Sequence, residues 1–225
     1  MRRELLVAAA TLVLTLVSVS AATEALIENW TRQAPDRRGI PSGWTGYTTF
    51  GGRPAYEFFV TEDEGHRALR VASHDEHSTI AKELHVNLEA TPILEWSWKI
   101  IETPAGADVR NRGTSDLTSH LVVVWPRFPE ALRSRLIAYA WGSIEPAGTI
   151  ERSRKTSTVT FFILRSGSEN LGRWQSERRN VVDDYRRVYG EPPQESPKAI
   201  AISIDTNDTH SRSAALIGTI AFIPP

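Results

Sequence analysis

Cysteine is absent from this chain. Without it there is no disulfide framework, no thiolate metal site and no lipid-modified cysteine. Stability must then come from a packed core, for which the roughly 200 residues beyond the N-terminal segment suffice as one domain. An excess of either charge is also missing. The formal net charge is -1 over 225 residues, which argues against the basic face of a nucleic-acid binder. Basic residues gather at Arg152, Arg154 and Lys155 and again at Arg178, Arg179, Arg186 and Arg187, but acidic neighbours offset the second group. No GxSxG elbow, phosphate-binding loop, GxGxxG fingerprint or His-Glu-x-x-His pair is present, so the common hydrolases, nucleotide enzymes and zinc proteases lack support.

Long apolar runs are lacking too, except at the start. Arg2 and Arg3 precede an apolar run from Leu5 to Val19 and then the small residues Ser20, Ala21 and Ala22. That order predicts a secretory signal peptide over 1–22, cleaved near Ala22 or Ala25, with a single domain over 23–225. The alternative, an uncleaved anchor, is less favoured because the run falls short of the ~20 apolar residues of a spanning helix. Losing Arg2, Arg3 and Glu4 takes the formal charge from -1 to -2. No later segment reads as a transmembrane span. The expected location is periplasmic or secreted.

What the chain does have is alternation. Leu94, Trp96, Trp98 and Ile100 alternate with Glu95, Ser97 and Lys99, a period of two with one aromatic face turned inward. Weaker runs of the same kind cover 55–60, 68–73, 78–84, 120–125, 136–141, 156–164, 198–205 and 214–222. Gly51-Gly52, Glu62 to Gly65, Pro104 to Gly106 and Ser166 to Ser168 punctuate them. Many short strands with such turns predict an all-β sandwich rather than a parallel sheet with crossover helices. One helix is expected near 180–190. Asn180 caps it, Val181, Tyr185, Val188 and Tyr189 share a face, and Gly190 with Pro192-Pro193 stops it. Arg179 with Asp183, and Asp183 with Arg187, stand at i,i+4 spacing for exposed pairs.

Few residues carry an evident chemistry. Asp205, Asn207 and Thr209 alternate as in a calcium loop, but His210 replaces the required glycine and Leu216 the bidentate glutamate. An Asx-type turn between strands is the simpler reading. No cofactor is expected, a calcium ion at the Asp205 loop being the one exception considered. His74, Asp75, Glu76 and His77, with Glu83 and His85, form the densest set of metal-ligand types, yet His85 lies beyond the next strand, so no metal site is predicted. Glu95, Asp108, Asp116, Asp184, Asp205 and Asp208 could supply paired acids for glycoside cleavage, and no spacing selects a pair. Among Trp44, Trp125, Trp141 and Trp174, the turn-like settings of Trp44 and Trp174 make them candidate stacking faces for a sugar.

Ile40 to Trp44, Leu94 to Lys99, Pro104 to Asp108, Glu177 to Val181 with Asp184-Tyr185, Tyr189 to Pro193, and Ile204 to Thr209 are similar in order and spacing to the bacterial family catalogued as domain of unknown function 3047. The resemblance implies an exported, antiparallel β-sandwich of the jelly-roll or concanavalin-like kind, and no established reaction. The chain departs from that pattern in two places. Ser115-Asp116 stands where the family tends to show two acids, with His120 in place of arginine, and Gly218-Thr219 replaces a Gly-Asp pair. Asp116, His120, Asp205, Asn207 and Asp208, with Trp44 and Trp174, are therefore the candidate ligand-binding residues. The expected function is non-catalytic glycan binding. A glycan-cleaving enzyme and a structural or docking subunit with an envelope-protein partner are the alternatives.

Overall fold

The structure, a computed structural model, describes residues 24–47 and 58–225. The signal-peptide segment, the Gly51-Gly52 turn and the first part of the 55–60 run lie outside the described residues. Among these, thirteen strands occur in chain order: β1 (Ala25–Glu28), β2 (Thr45–Gly46), β3 (Phe59–Asp63), β4 (His66–His74), β5 (His77–Glu83), β6 (Ile93–Glu102), β7 (Leu117–Trp125), β8 (Arg135–Gly142), β9 (Ile150–Arg152), β10 (Val159–Ser166), β11 (Gln175–Asn180), β12 (Ala199–Asp205) and β13 (Arg212–Ile223). Two helices accompany them, α1 (Glu130–Arg133) and α2 (Val181–Tyr189).

The strands form two sheets. One has the order β11-β6-β13-β4-β3, with β1 also on β13, and the other the order β2-β5-β12-β7-β8-β10-β9. Among the crossings between sheets, those at β4–β5, β6–β7 and β12–β13 set the triple β4-β13-β6 against β5-β12-β7. This is the interleaved order of a jelly-roll sandwich. The expected antiparallel pattern holds with one exception, since β8 and β10 are parallel. After β8 the chain runs back along the sheet edge as β9, then turns into β10, which inserts between β9 and β8.

Alternation decides what is buried where. Trp96, Trp98 and Ile100 of β6 meet Tyr139 and Trp141 of β8 and Ile200, Ile202 and Ile204 of β12 in the inter-sheet core. Trp96 lies 5.4 Å from Tyr139, and Trp98 lies 6.1 Å from Trp141, centroid to centroid. The other face of the seven-stranded sheet carries a second apolar cluster, including Val122, Val124, Ala138, Phe161 and Ala201. The central strands β12, β7 and β8 are therefore buried on both sides, which is why β8 and β12 are apolar in both phases for most of their length.

α2 forms as expected. The Asn180 side chain accepts from the N–H groups of Val182 and Asp183, and Gly190 ends the helix at φ 76°. The expected ion pairs differ. Arg179 belongs to β11 and turns inward to the buried Asp184, which also accepts from the Tyr139 hydroxyl at 2.9 Å. Asp183 pairs with Arg186 instead. No helix among the described residues is long and apolar enough to cross a membrane.

Candidate functional site

On β12 the residues Ile200, Ile202 and Ile204 point into the sandwich, leaving Ala201, Ser203 and Asp205 on the sheet's second face. Register then assembles a polar row. Ser203 lies opposite Thr79 of β5 on one side and His120 of β7 on the other, while Asp205 lies opposite His77. The Thr79 and Ser203 hydroxyls are 2.7 Å apart, and His77 Nε2 lies 3.1 Å from Thr79 Oγ1. Above this row is a pocket of about 420 Å³. Leu117, Val122, Val159 and Phe161 supply its apolar wall, and Ser153, Lys155, Thr156 and Asn207 reach it from loops.

The pocket's charges are balanced internally. Lys155 Nζ lies 2.5 Å from Asp208 and 3.5 Å from Asp205. Burial opposes its charge, but Asp208 and Asp205 together hold the lysine pKa above its usual value. Burial pushes Asp205 up to about 7, helped by nearby Asp116 and resisted by Lys155. His77 is shifted down, first by burial and then by the Lys155 charge. His120, buried at the pocket floor, is lowered to about 4 by that burial. Its Nδ1 lies 2.8 Å from the Thr118 carbonyl. A carbonyl only accepts, so Nδ1 carries the hydrogen and Nε2 is left as an acceptor. The ring meets Phe161 edge-on at 6.2 Å.

Asp116 has a different role. Completely buried, it accepts from the N–H groups of Asp208 (3.1 Å) and Thr209 (2.7 Å) and from the Thr209 hydroxyl (2.6 Å). It thereby clasps the 205–210 turn from below. Thr206 fixes the same turn to the β4–β5 crossing, its N–H donating to the Glu76 carbonyl at 2.9 Å and its hydroxyl lying 2.9 Å from that of Ser73. A calcium ion does not fit this loop. The Asp116 oxygens are occupied by N–H and O–H donors, and the Lys155 ammonium stands between Asp205 and Asp208 where a cation would have to sit.

Of the sequence-predicted residues, His120, Asp205 and Asn207 line the pocket, Asp208 joins it through Lys155, and Asp116 supports its loop. The tryptophans do not join them. Trp44 is buried, stacked on Trp30 at 5.7 Å with its indole N–H donating to Glu28, so it offers no stacking face there. Trp174 is half-buried beside the other sheet, its indole N–H donating to Asp63 of β3. Trp125 and Trp141 are core residues. Phe161 holds the aromatic position at the pocket instead.

The other sequence candidates disperse. Glu95, Asp108 and Asp184 are tied to Arg178, Arg110 and Arg179. His85 pairs with Glu83, and Asp75 with His210. Among the described residues no group of three or more His, Asp or Glu side chains is placed to hold a metal. Sequence reasoning missed Thr79, Ser203, Lys155 and Phe161, and took up His77 only within the set of metal-ligand types that it set aside. One signal was available: polar Ser203 and Asp205 fall in the same phase of a strand that is otherwise apolar on both faces.

A family model described as "Protein of unknown function (DUF3047)" matches residues 42–221. No curated protein matches the chain. Among solved structures, the family 11 carbohydrate-binding module of the cellulosomal cellulase Lic26A-Cel5E of Clostridium thermocellum is similar at 9% identity and TM-score 0.48, covering 92% of this chain and 97% of that one. The xyloglucanase domain of NopAA, a type three effector from Sinorhizobium fredii, is similar at 10% identity and TM-score 0.44, over 85% of this chain and 100% of that one. The mannan-recognising module TmCBM27 follows at 14% identity and TM-score 0.38, over 91% and 99%.

Proposed function

We propose that this protein, which belongs to the family described as protein of unknown function DUF3047, is an exported β-sandwich of the bacterial envelope that binds an uncharged glycan unit. The pocket against β5, β12, β7 and β10 carries the proposal. It combines an apolar wall ending in Phe161 with neutral donors and acceptors: the Thr79 and Ser203 hydroxyls, the Asn207 amide and the His120 Nε2. Lys155 is neutralised by Asp208, and Asp205 holds its proton below about pH 7, so the site offers no unpaired positive charge to an anionic ligand. Its volume lies within the ~300–1,000 Å³ range of small-molecule sites. A sugar ring matches this mixture, with C–H groups for the wall and hydroxyls for the row.

The test is a glycan array followed by calorimetry on the intact protein. The expected result is binding of a neutral glycan that weakens about tenfold or more in both Phe161→Ala and Asp205→Ala, since each 1.4 kcal/mol of lost contact is tenfold. Trp174→Ala should leave it unchanged. Well-folded protein that binds no neutral glycan rules the reading out.

One observation favours a second reading, glycan cleavage. Asp205, held at about 7, retains its proton over much of the neutral range and so has the property of a general acid. Products released from an envelope polysaccharide, and lost in Asp205→Asn, would replace binding with catalysis.

A further inference from the structure

Where β7 ends, a second and separate pocket of about 280 Å³ opens between the Trp125–Arg127 segment, Tyr185 of α2 and the stretch Gln194 to Lys198. Its floor is aromatic. Tyr185 is fully buried and packs edge-on against Trp125 at 4.8 Å, and the Trp125 indole N–H donates to the Glu195 carbonyl. Two guanidinium groups converge on the Tyr185 hydroxyl: Arg127 donates to it at 3.1 Å and Arg135 at 2.7 Å. Those two bonds fill the oxygen's lone pairs. The phenolic hydrogen then has no acceptor among the described residues.

The charges at this pocket are unequal. Arg135 is neutralised by Glu191 at 2.7 Å. Arg127 has no acidic partner among the described residues, and its one side-chain hydrogen bond, to Tyr185, engages a single N–H of the five it carries. Lys198 is only loosely paired, 3.9 Å from an exposed Glu195 carboxylate. The pocket thus holds an uncompensated guanidinium anchored on a buried phenol, with Gln194 and Ser196 among its lining.

We infer that this pocket is an anion site that takes the carboxylate of an acidic sugar. A guanidinium fork matches a planar carboxylate in two parallel hydrogen bonds. Tyr185 holds the Arg127 guanidinium at the pocket from beneath, Gln194 and Ser196 offer uncharged polar groups for ring hydroxyls, and Lys198 adds long-range attraction. The inference stands independently of the neutral-sugar pocket, which shares no residue with this one.

The experiment is NMR titration of the full chain with sodium glucuronate, following the Trp125 indole N–H, with glucose and sodium acetate as parallel arms. Glucuronate should shift that resonance saturably. Glucose should not, which separates the carboxylate from the ring, and acetate should bind more weakly, which separates an acidic sugar from any small carboxylate. Arg127→Gln, at a partly exposed position, should weaken glucuronate binding at least tenfold while leaving neutral-glycan binding at the Asp205 pocket unchanged. Tyr185→Phe releases Arg127 from its side-chain anchor and should weaken it too, with unchanged far-ultraviolet circular dichroism reporting that the protein remains folded. Equal responses to glucuronate and glucose, or full glucuronate affinity in folded Arg127→Gln protein, would overturn the inference.

Discussion

Asp205 and His120 titrate abnormally for the same reason, burial, and with opposite consequences. Asp205 is held at about 7 in the folded chain against roughly 3.9 unfolded. The folded state binds the extra proton, so stability falls as pH rises from about 4 to 7. His120 is held at about 4 against roughly 6.5 unfolded. There the unfolded state binds the extra proton, so stability falls as pH drops from about 6.5 to 4, and the lowered His77 acts in the same direction. The slopes oppose each other between about pH 4 and 6.5. Urea unfolding at several pH values should therefore find Asp205→Asn more stable than the parent at pH 8, with the difference vanishing near pH 4. His120→Gln should reduce the acid-side decline to the share that His77 contributes and keep the one at higher pH. A parallel profile for all three proteins would contradict both assignments.

At the scale of elements, α2 is held by its cap and by the pairing of its buried Asp184 with a half-buried Arg179. Asn180→Ala removes the acceptor for two helix N–H groups and should cost about 1 kcal/mol. Asp184→Ala removes the acceptor of the half-buried Arg179 and of the buried Tyr139 hydroxyl and should cost about 2–3 kcal/mol. Denaturant titration distinguishes the two by size. α2 was legible because capping residue, apolar face and terminating glycine all agree within eleven residues, and β6 was legible because its alternation is unbroken. β11 was not. Its sequence Gln-Ser-Glu-Arg-Arg-Asn is polar throughout because it is an edge strand, paired on β6 alone. β9 and β2 are too short to show a period, and the single turn of α1 has none. His120, Asp205, Asn207 and Asp208 were singled out through the family resemblance, and only strand register brings them to one place, whereas Lys155 arrives from a loop whose position depends on the β9–β10 turn, which no local pattern announces.

For the whole molecule, Glu28 is a tie between the sheets. From β1 in the first sheet it accepts from the Trp44 indole and from Lys82 of β5 in the second, while Trp30 beside it donates to the Gly218 carbonyl. Desolvation opposes its ionisation, yet these hydrogen bonds hold its pKa below the ordinary carboxylate value. Trp44 closes this corner of the core. Trp44→Ala should lower stability by about 3–5 kcal/mol, the cost of an emptied aromatic site, in thermal or denaturant unfolding. If it instead removed glycan binding without changing stability, the assignment of Trp44 to the core would fail.

The Asp116 clasp has a kinetic corollary. A loop pinned at both its backbone and its hydroxyl has little disorder to surrender when a partner arrives, so association at the Asp205 mouth should be fast, single-phase and nearly free of conformational rearrangement. Discrimination among sugars would then come from how quickly the wrong one leaves.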